Sequence, residues 1–226
     1  PMSHGQRRMW MLQRMMAHPS AYHVTRLLRM PEGVSASEAR RVLEILARRH
    51  GVLRVRLWEE DGQFWQEDLP EGRWRMDWRD LQASEGEAAA MLSAERERLF
   101  DLTSGPLWRA CWLEGAAGTM LYLVFHHSVT DEWSMGIFLG EFWRLLHGEI
   151  GEGELPVAAY GYGDYARWQK GTLDGVERQH LEAFWGDRLR GWEDMVRLTP
   201  DHVVADPEPG RQAMVERSLD IAFCAG

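Results

Sequence analysis

Apolar residues Met9, Trp10, Leu12 and Met16 recur at helical spacing behind Ser3 and Gln6, which stand three apart as in a capping box. This predicts a helix over 3–17, ended by His18-Pro19. Tyr22 to Met30 is β-branched and aromatic enough for a strand. Ala39, Val42, Leu43 and Leu46 fall on one face of a second helix over 35–50, with Ser35 or Ser37 at its N-cap. Val52 to Trp58 and Gln63 to Glu67 flank Asp61-Gly62, the signal of a hairpin. A helix follows from Ser84 and Glu87 to about Leu99, then strands at Leu107–Leu113 and Met120–Phe125 around a turn at Gly115 to Gly118. Asp131 opens a helix to about His147, and Gly148 to Pro156 reads as a loop. Tyr160–Lys170 and Val176–Leu189 read as two further helices, Thr199 to Arg211 as an extended linker, and Met214 to Ile221 as a last strand. The pattern predicts an α/β (α+β) sandwich, a mixed sheet flanked by helices.

At 226 residues and 45% apolar composition the chain can bury a sizeable core, and 27% charged residues argue against whole-chain disorder. The net charge of −9 argues against sequence-independent nucleic-acid binding and suits neither lipid nor nucleic-acid surfaces. Two cysteines, Cys111 and Cys224, make no disulfide framework and no Cys-x-x-Cys zinc pair. Cys111 lies in an apolar stretch and reads as a buried free thiol, so a reducing cytoplasm is expected. No apolar run approaches the roughly 18 residues of a membrane helix, and no apolar signal region follows Arg7 and Arg8. Twelve tryptophans are an unusual load. Trp10, Trp133, Trp143, Trp168 and Trp185 fall on predicted helices, where an aromatic at this spacing reads as core.

The segment Leu121-Tyr122-Leu123-Val124-Phe125-His126-His127-Ser128-Val129-Thr130-Asp131-Glu132-Trp133-Ser134 carries the chemistry. An apolar strand delivers two adjacent histidines at its end, and strand alternation points them to opposite faces. One can face a cavity while the other is packed and hydrogen-bonded. A neutral imidazole so placed suits a general base or positioning group near neutral pH. Two satisfied loop histidines, with Asp131 a mere helix cap, would read the same from spacing alone. Adjacent histidines on opposite faces cannot share one ion without a bulge, and no third ligand is evident, so no metal is expected.

The chain resembles the condensation domains of nonribosomal peptide synthetases, within the chloramphenicol-acetyltransferase-like superfamily. Ser3-His4-Gly5-Gln6-Arg7-Arg8-Met9-Trp10-Met11-Leu12 matches the family's S-x-x-Q-x-R-[LM]-W-x-L, and Arg49-His50-Gly51-Val52-Leu53-Arg54 resembles R-H-x-x-L-R. Phe100-Asp101-Leu102 through Gly105-Pro106-Leu107 resembles F-D-L…G-P-L, and His126-His127-Ser128-Val129-Thr130-Asp131 matches H-H-x-x-x-D. Tyr162-Gly163-Asp164-Tyr165-Ala166-Arg167-Trp168 resembles Y-x-D-[YF]-A-x-W, and Leu198-Thr199-Pro200-Asp201 resembles L-P-x-D, where the family's chain leaves its first lobe. These motifs occur in colinear order. One position departs: the family's H-H-x-x-x-D-G ends here on Glu132, which adds a side chain and a charge.

The resemblance implies a chloramphenicol-acetyltransferase-like lobe over residues 1–198, with an inter-lobe linker and the first strand beyond it over 199–226 and the second lobe absent. It implies an acyltransferase that forms an amide bond between a donor acyl or peptidyl thioester and an acceptor aminoacyl thioester. Both substrates ride on phosphopantetheine arms of donor and acceptor peptidyl carrier proteins, with no cofactor bound directly. His127 is expected to position or deprotonate the amine, His126 to be more structural than catalytic, and Asp131 to hold geometry in an ion pair with Arg54. Trp133 is expected as structural support, and Ser128, Glu132 and Tyr165 as tunnel candidates. An isolated lobe is expected to be inactive, since its tunnel has one wall. Two alternatives stay open: a catalytically inactive condensation-like platform that recruits a tailoring enzyme, and a stand-alone acyltransferase of the same superfamily.

Overall fold

A computed structural model describes residues 1–84, 86–115, 118–173 and 175–192. The expected linker, the last strand, the 198–201 motif and Cys224 lie outside them. In chain order the elements are α1 (His4–Met15), β1 (His23–Arg29), α2 (Ala36–Arg49), β2 (Val55–Glu60), β3 (Gln63–Asp68), β4 (Asp77–Ala83), α3 (Ala88–Glu97), β5 (Trp108–Gly115), β6 (Gly118–His126), α4 (Glu132–Leu146), α5 (Tyr162–Leu173) and α6 (Val176–Arg188). Ser3 and Ser35 close capping boxes with Gln6 and Glu38, each side chain accepting from the other's backbone N–H, which sets the starts of α1 and α2. Asp61 and Gly62 adopt the two positive φ values that a type I′ hairpin between β2 and β3 requires.

The main sheet has the order β1-β6-β5-β4, with β1–β6 and β5–β6 antiparallel and β4–β5 parallel; β2 and β3 form a separate ribbon. The sheet is therefore mixed and flanked by helices, as expected. β4 lies in a stretch for which the sequence pattern predicts no element. It is an edge strand held on one side only, and its half-exposed, charge-bearing residues show no clean alternation.

β6 is hydrogen-bonded on both sides and buried on both faces. Leu121, Leu123 and Phe125 join Trp108, Val42, Leu43, Leu46, Phe138 and Phe142 in a core under α2 and α4. Tyr122 and Val124 join Trp10, Val55, Leu57, Phe100 and Cys111 in a second core beneath α1 and the ribbon. Cys111 is fully buried and its thiol is pushed up to about 12 by burial, so it is an inert part of that core. The indole N–H of Trp108 donates to the Leu53 carbonyl at 2.8 Å and ties β5 to the start of the ribbon.

The tryptophans divide. Trp10 is buried, but Trp133, Trp168 and Trp185 expose 82%, 64% and 53% of their surface, against the expectation of core. Their spacing places them on one side of a helix without supplying an element to cover that side. Among the described residues no helix is long and apolar enough to cross a membrane.

Leu43→Ala, in the core under α2, should destabilise the fold by about 2–5 kcal/mol through lost burial and a residual cavity. Met15→Ala, at an exposed site on α1, should change stability by less than about 0.5 kcal/mol. Urea unfolding monitored by tryptophan fluorescence measures both.

Candidate active site at the end of strand β6

β6 ends at His126, whose backbone N–H donates to the Leu107 carbonyl at 2.9 Å. The next N–H, of His127, still bonds the Tyr22 carbonyl at 2.8 Å, and the chain then turns, Val129 N–H closing on the His126 carbonyl at 3.1 Å. One imidazole stays inside and the other emerges: His126 is fully buried, whereas His127 is exposed. The opposite-face expectation holds.

His127 Nδ1 lies 2.7 Å from the Thr130 carbonyl oxygen. A carbonyl only accepts, so Nδ1 carries the proton and the neutral ring presents Nε2 as an acceptor. The ring lines a cleft of about 280 Å³ with Gly5, Gln6, Met9, Val52 and Tyr162. An apolar recess that includes His50, Phe125, Ile137 and Phe138 adjoins it, sharing Val52, Val129, Thr130 and Ser134. This arrangement can accept a proton from, or orient, a polar group that enters the cleft.

His126 has a different task. The Ser128 backbone N–H donates to its Nδ1 at 3.2 Å, and Ser128 Oγ lies 2.7 Å from the same atom. His126 is thereby bound to the turn that carries its neighbour. Burial pushes its pKa down to about 3, helped by the nearby His23 and His127. His23, its cross-strand partner on β1, is pushed down to about 4, mainly by burial. Both rings are neutral at physiological pH.

Asp131 is the N-cap of α4. Its carboxylate accepts from the Ser134 N–H and from Ser134 Oγ, each at 2.7 Å, while Ser134 Oγ accepts from the Asp131 N–H at 2.8 Å. These bonds hold its carboxyl below the usual carboxylate range. The expected ion pair with Arg54 is not formed. The Arg54 guanidinium instead donates to the carbonyls of Ala47, at 2.8 Å, and Leu69, tying the end of α2 to the end of the ribbon. With both charges satisfied locally, neither is free for the other.

Arg49 and His50, from the same motif as Arg54, both reach Glu141 on α4. Arg49 Nε lies 3.0 Å and His50 Nε2 2.7 Å from its carboxylate oxygens. Glu141 is a residue the sequence reading missed. In the G-P-L motif, Gly105 has φ +54° and a Cβ there would stand 2.5 Å from the Val55 carbonyl oxygen, so only glycine fits.

Of the tunnel candidates, Ser128 lines the cleft, and Glu132 and Tyr165 do not. Glu132 is the first residue of α4 and turns its exposed carboxylate to Arg26 on β1. Tyr165 packs against Trp168 in a tilted arrangement, ring centroids 5.8 Å apart, and its hydroxyl accepts from Gln169. The tyrosine at the cleft is Tyr162, one turn earlier, whose hydroxyl lies 2.9 Å from Ser3 Oγ. Trp133, expected as structural support, is largely exposed. Among those residues no cluster of three or more His, Cys, Asp or Glu side chains is placed to hold a metal ion.

The condensation-domain model matches residues 1–224, and the chain belongs to that family. It is 35% identical over 224 residues to phosphinothricin tripeptide synthetase PhsC of Streptomyces viridochromogenes, covering 94% of this chain and 20% of that protein. It is 32% identical over 233 residues to a linear gramicidin synthase of Brevibacillus parabrevis, covering 99% of this chain and 3% of that one. Among solved structures it shares the fold of the X-domain from teicoplanin biosynthesis, with a TM-score of 0.77 and 24% identity over 90% of this chain and 46% of that one. That domain has also been solved in complex with OxyB. The chain thus spans less than half of that structure and a fifth or less of these synthetases.

Two outcomes test the site's electrostatics. An unfolded histidine binds its proton near pH 6.5, whereas folded His23 and His126 resist it down to about 4 and 3. The unfolded chain therefore takes up more protons, and stability falls as pH drops from about 6.5 towards 4, by up to about 1.4 kcal/mol per pH unit for each ring. Urea unfolding at pH 7.5, 6 and 5 measures the slope. Asp131→Ala should cost about 1 kcal/mol as a lost N-cap, and Asp131→Asn much less, in the same assay.

Proposed function

We propose that this chain is the first lobe of a condensation domain, with residues 1–198 forming the lobe and 199–226 leading out of it. The domain forms an amide bond between a donor acyl or peptidyl thioester and an acceptor amine, both delivered by carrier proteins on phosphopantetheine arms. The observation that carries this reading is His127. Its Nδ1–H is committed to the Thr130 carbonyl, and its ring borders the cleft with Nε2 as the free acceptor. The acceptor amine attacks the donor thioester carbon, the C–N bond forms as the C–S bond breaks, and the donor arm leaves as a thiol. His127 Nε2 orients the amine, takes the proton it sheds and passes that proton to the departing sulfur. The Asp131 cap and the His126–Ser128 contacts fix the turn, and neither side chain is assigned contact with substrate.

A second reading is favoured by Glu132 and by the likeness to a domain solved with OxyB: a non-catalytic platform that recruits a tailoring enzyme. The local geometry tempers it. Glu132 has no positive φ, so glycine's freedom is not needed there, and its side chain turns away from the cleft to Arg26.

With the second lobe supplied and both carriers loaded with simple thioesters, intact-mass spectrometry should find the amide on the acceptor arm. His127→Ala should reduce its rate by about a hundredfold or more. Carrier binding without product in the parent would overturn the enzymatic reading and favour the platform.

A further inference from the structure

Five buried side-chain nitrogen or oxygen atoms among the described residues lack a hydrogen-bond partner, and four of them belong to residues around Phe100. Gln13 donates its amide N–H to the Phe100 carbonyl at 3.0 Å. Arg109 lays its guanidinium 3.9 Å from the Phe100 ring centroid. The rings of His23 and His126 lie 4.9 and 6.4 Å from that centroid. The unpartnered atoms are Gln13 Oε1, His23 Nε2, Arg109 Nε and His126 Nε2. His23, Arg109 and His126 are each more than nine-tenths buried.

The protonation of these atoms follows from what their other ends do. His23 Nδ1 lies 2.5 Å from the Arg96 carbonyl, so Nδ1 holds the proton and Nε2 is an acceptor. His126 Nδ1 accepts from the Ser128 N–H, so its proton is on Nε2, a donor. His23 Nε2 is thus an acceptor and His126 Nε2–H a donor, a pair that one water can bridge. The two histidines face each other across β1 and β6 with ring centroids 6.1 Å apart. That is further than a direct N–H···N bond allows and within reach of one bridging water. Buried groups left unpaired cost free energy, and internal waters commonly satisfy such sites.

We propose that His23 is a positioning residue for the His127 turn, acting through a buried hydration site that it shares with His126. The chain runs from the Arg96 carbonyl through His23, the water and His126 to the Ser128 N–H. It locks His126 as the Nε2–H tautomer, the only neutral form that can accept from Ser128 and hold the turn. The proposal rests on the assignment of His127 above for its link to turnover, and on no part of that assignment for the tautomers.

Long-range proton–nitrogen NMR of the 226-residue chain at pH 7.5 reads the tautomers directly. His23 and His127 should be Nδ1–H and His126 Nε2–H, with a water cross-peak to the His126 ring proton. His23→Gln, whose amide oxygen stands where Nε2 was, should keep the His126 tautomer. His23→Leu should speed exchange of the His126 ring proton by about tenfold or more and mix the His127 tautomers. In the complete domain His23→Leu should lower kcat with little change in KM, and His23→Gln should restore it. Finding His126 as Nδ1–H in the parent, a dry His126 ring proton, or His23→Leu indistinguishable from the parent would each overturn the proposal. Absence of turnover in the parent with the tautomers as stated would overturn the condensation reading alone.

Discussion

The structure depends on strand β6 being satisfied on every side. Its backbone is bonded to β1 and β5, and its alternate side chains fill two separate cores, so a strand buried on both faces delivers a histidine pair to a fixed point. The last ladder bonds, His126 to Leu107 and His127 to Tyr22, hold the chain until the residue at which it must turn. The site's geometry is a consequence of where that ladder stops. A ladder ending one residue earlier would release both rings into the turn. One ending a residue later would keep His127 in the sheet, away from the Thr130 carbonyl that fixes its tautomer.

The turn itself is stabilised by short-range bonds. Asp131 takes its partners from Ser134, three residues on, and His126 takes its own from Ser128, two residues on. Neither relies on a long-range buried ion pair, whose desolvation often offsets its Coulombic gain. The longer-range charges serve the frame: Arg49 and His50 hold α2 to α4 through Glu141, and Arg54 holds α2 to the ribbon through carbonyls. The frame and the histidine turn therefore draw on different hydrogen-bond partners, while His50 serves the frame and also borders the recess beside the cleft.

This division explains what was legible in the chain. The histidine turn, the Asp131 cap, the capping boxes and the Asp61-Gly62 hairpin are decided within a few residues, and each could be read from spacing. The partner of Arg54 could not, because a guanidinium with five donors goes to whichever acceptors the packed chain leaves open, here Ala47 and Leu69. Glu141 lies 92 residues from the arginine it meets, with no local signal to join them. Tyr162 and Tyr165 are equivalent in pattern, one turn apart on α5. Only the docking of the N-terminal Ser3 selects the first of them. The exposed tryptophans on α4–α6 teach the same point, since periodicity identifies a face and leaves open what covers it.

Glu132 stands where the resemblance expects glycine, and the geometry limits what that change can mean. Glycine is required where φ is positive or where a Cβ would collide, as at Gly105. Position 132 begins a regular helix, and only Asp61 among the described non-glycine residues has a positive φ. A carboxylate in the first turn also complements the helix dipole. The backbone therefore loses nothing by the change, and the pairing with Arg26 carries the side chain away from the cleft that His127 lines. The consequence falls on what approaches from the Arg26 side. Under the proposed function, a substrate arm passing there would meet a paired charge where glycine would leave open space, which bears on access and selectivity more than on the turn that carries His127.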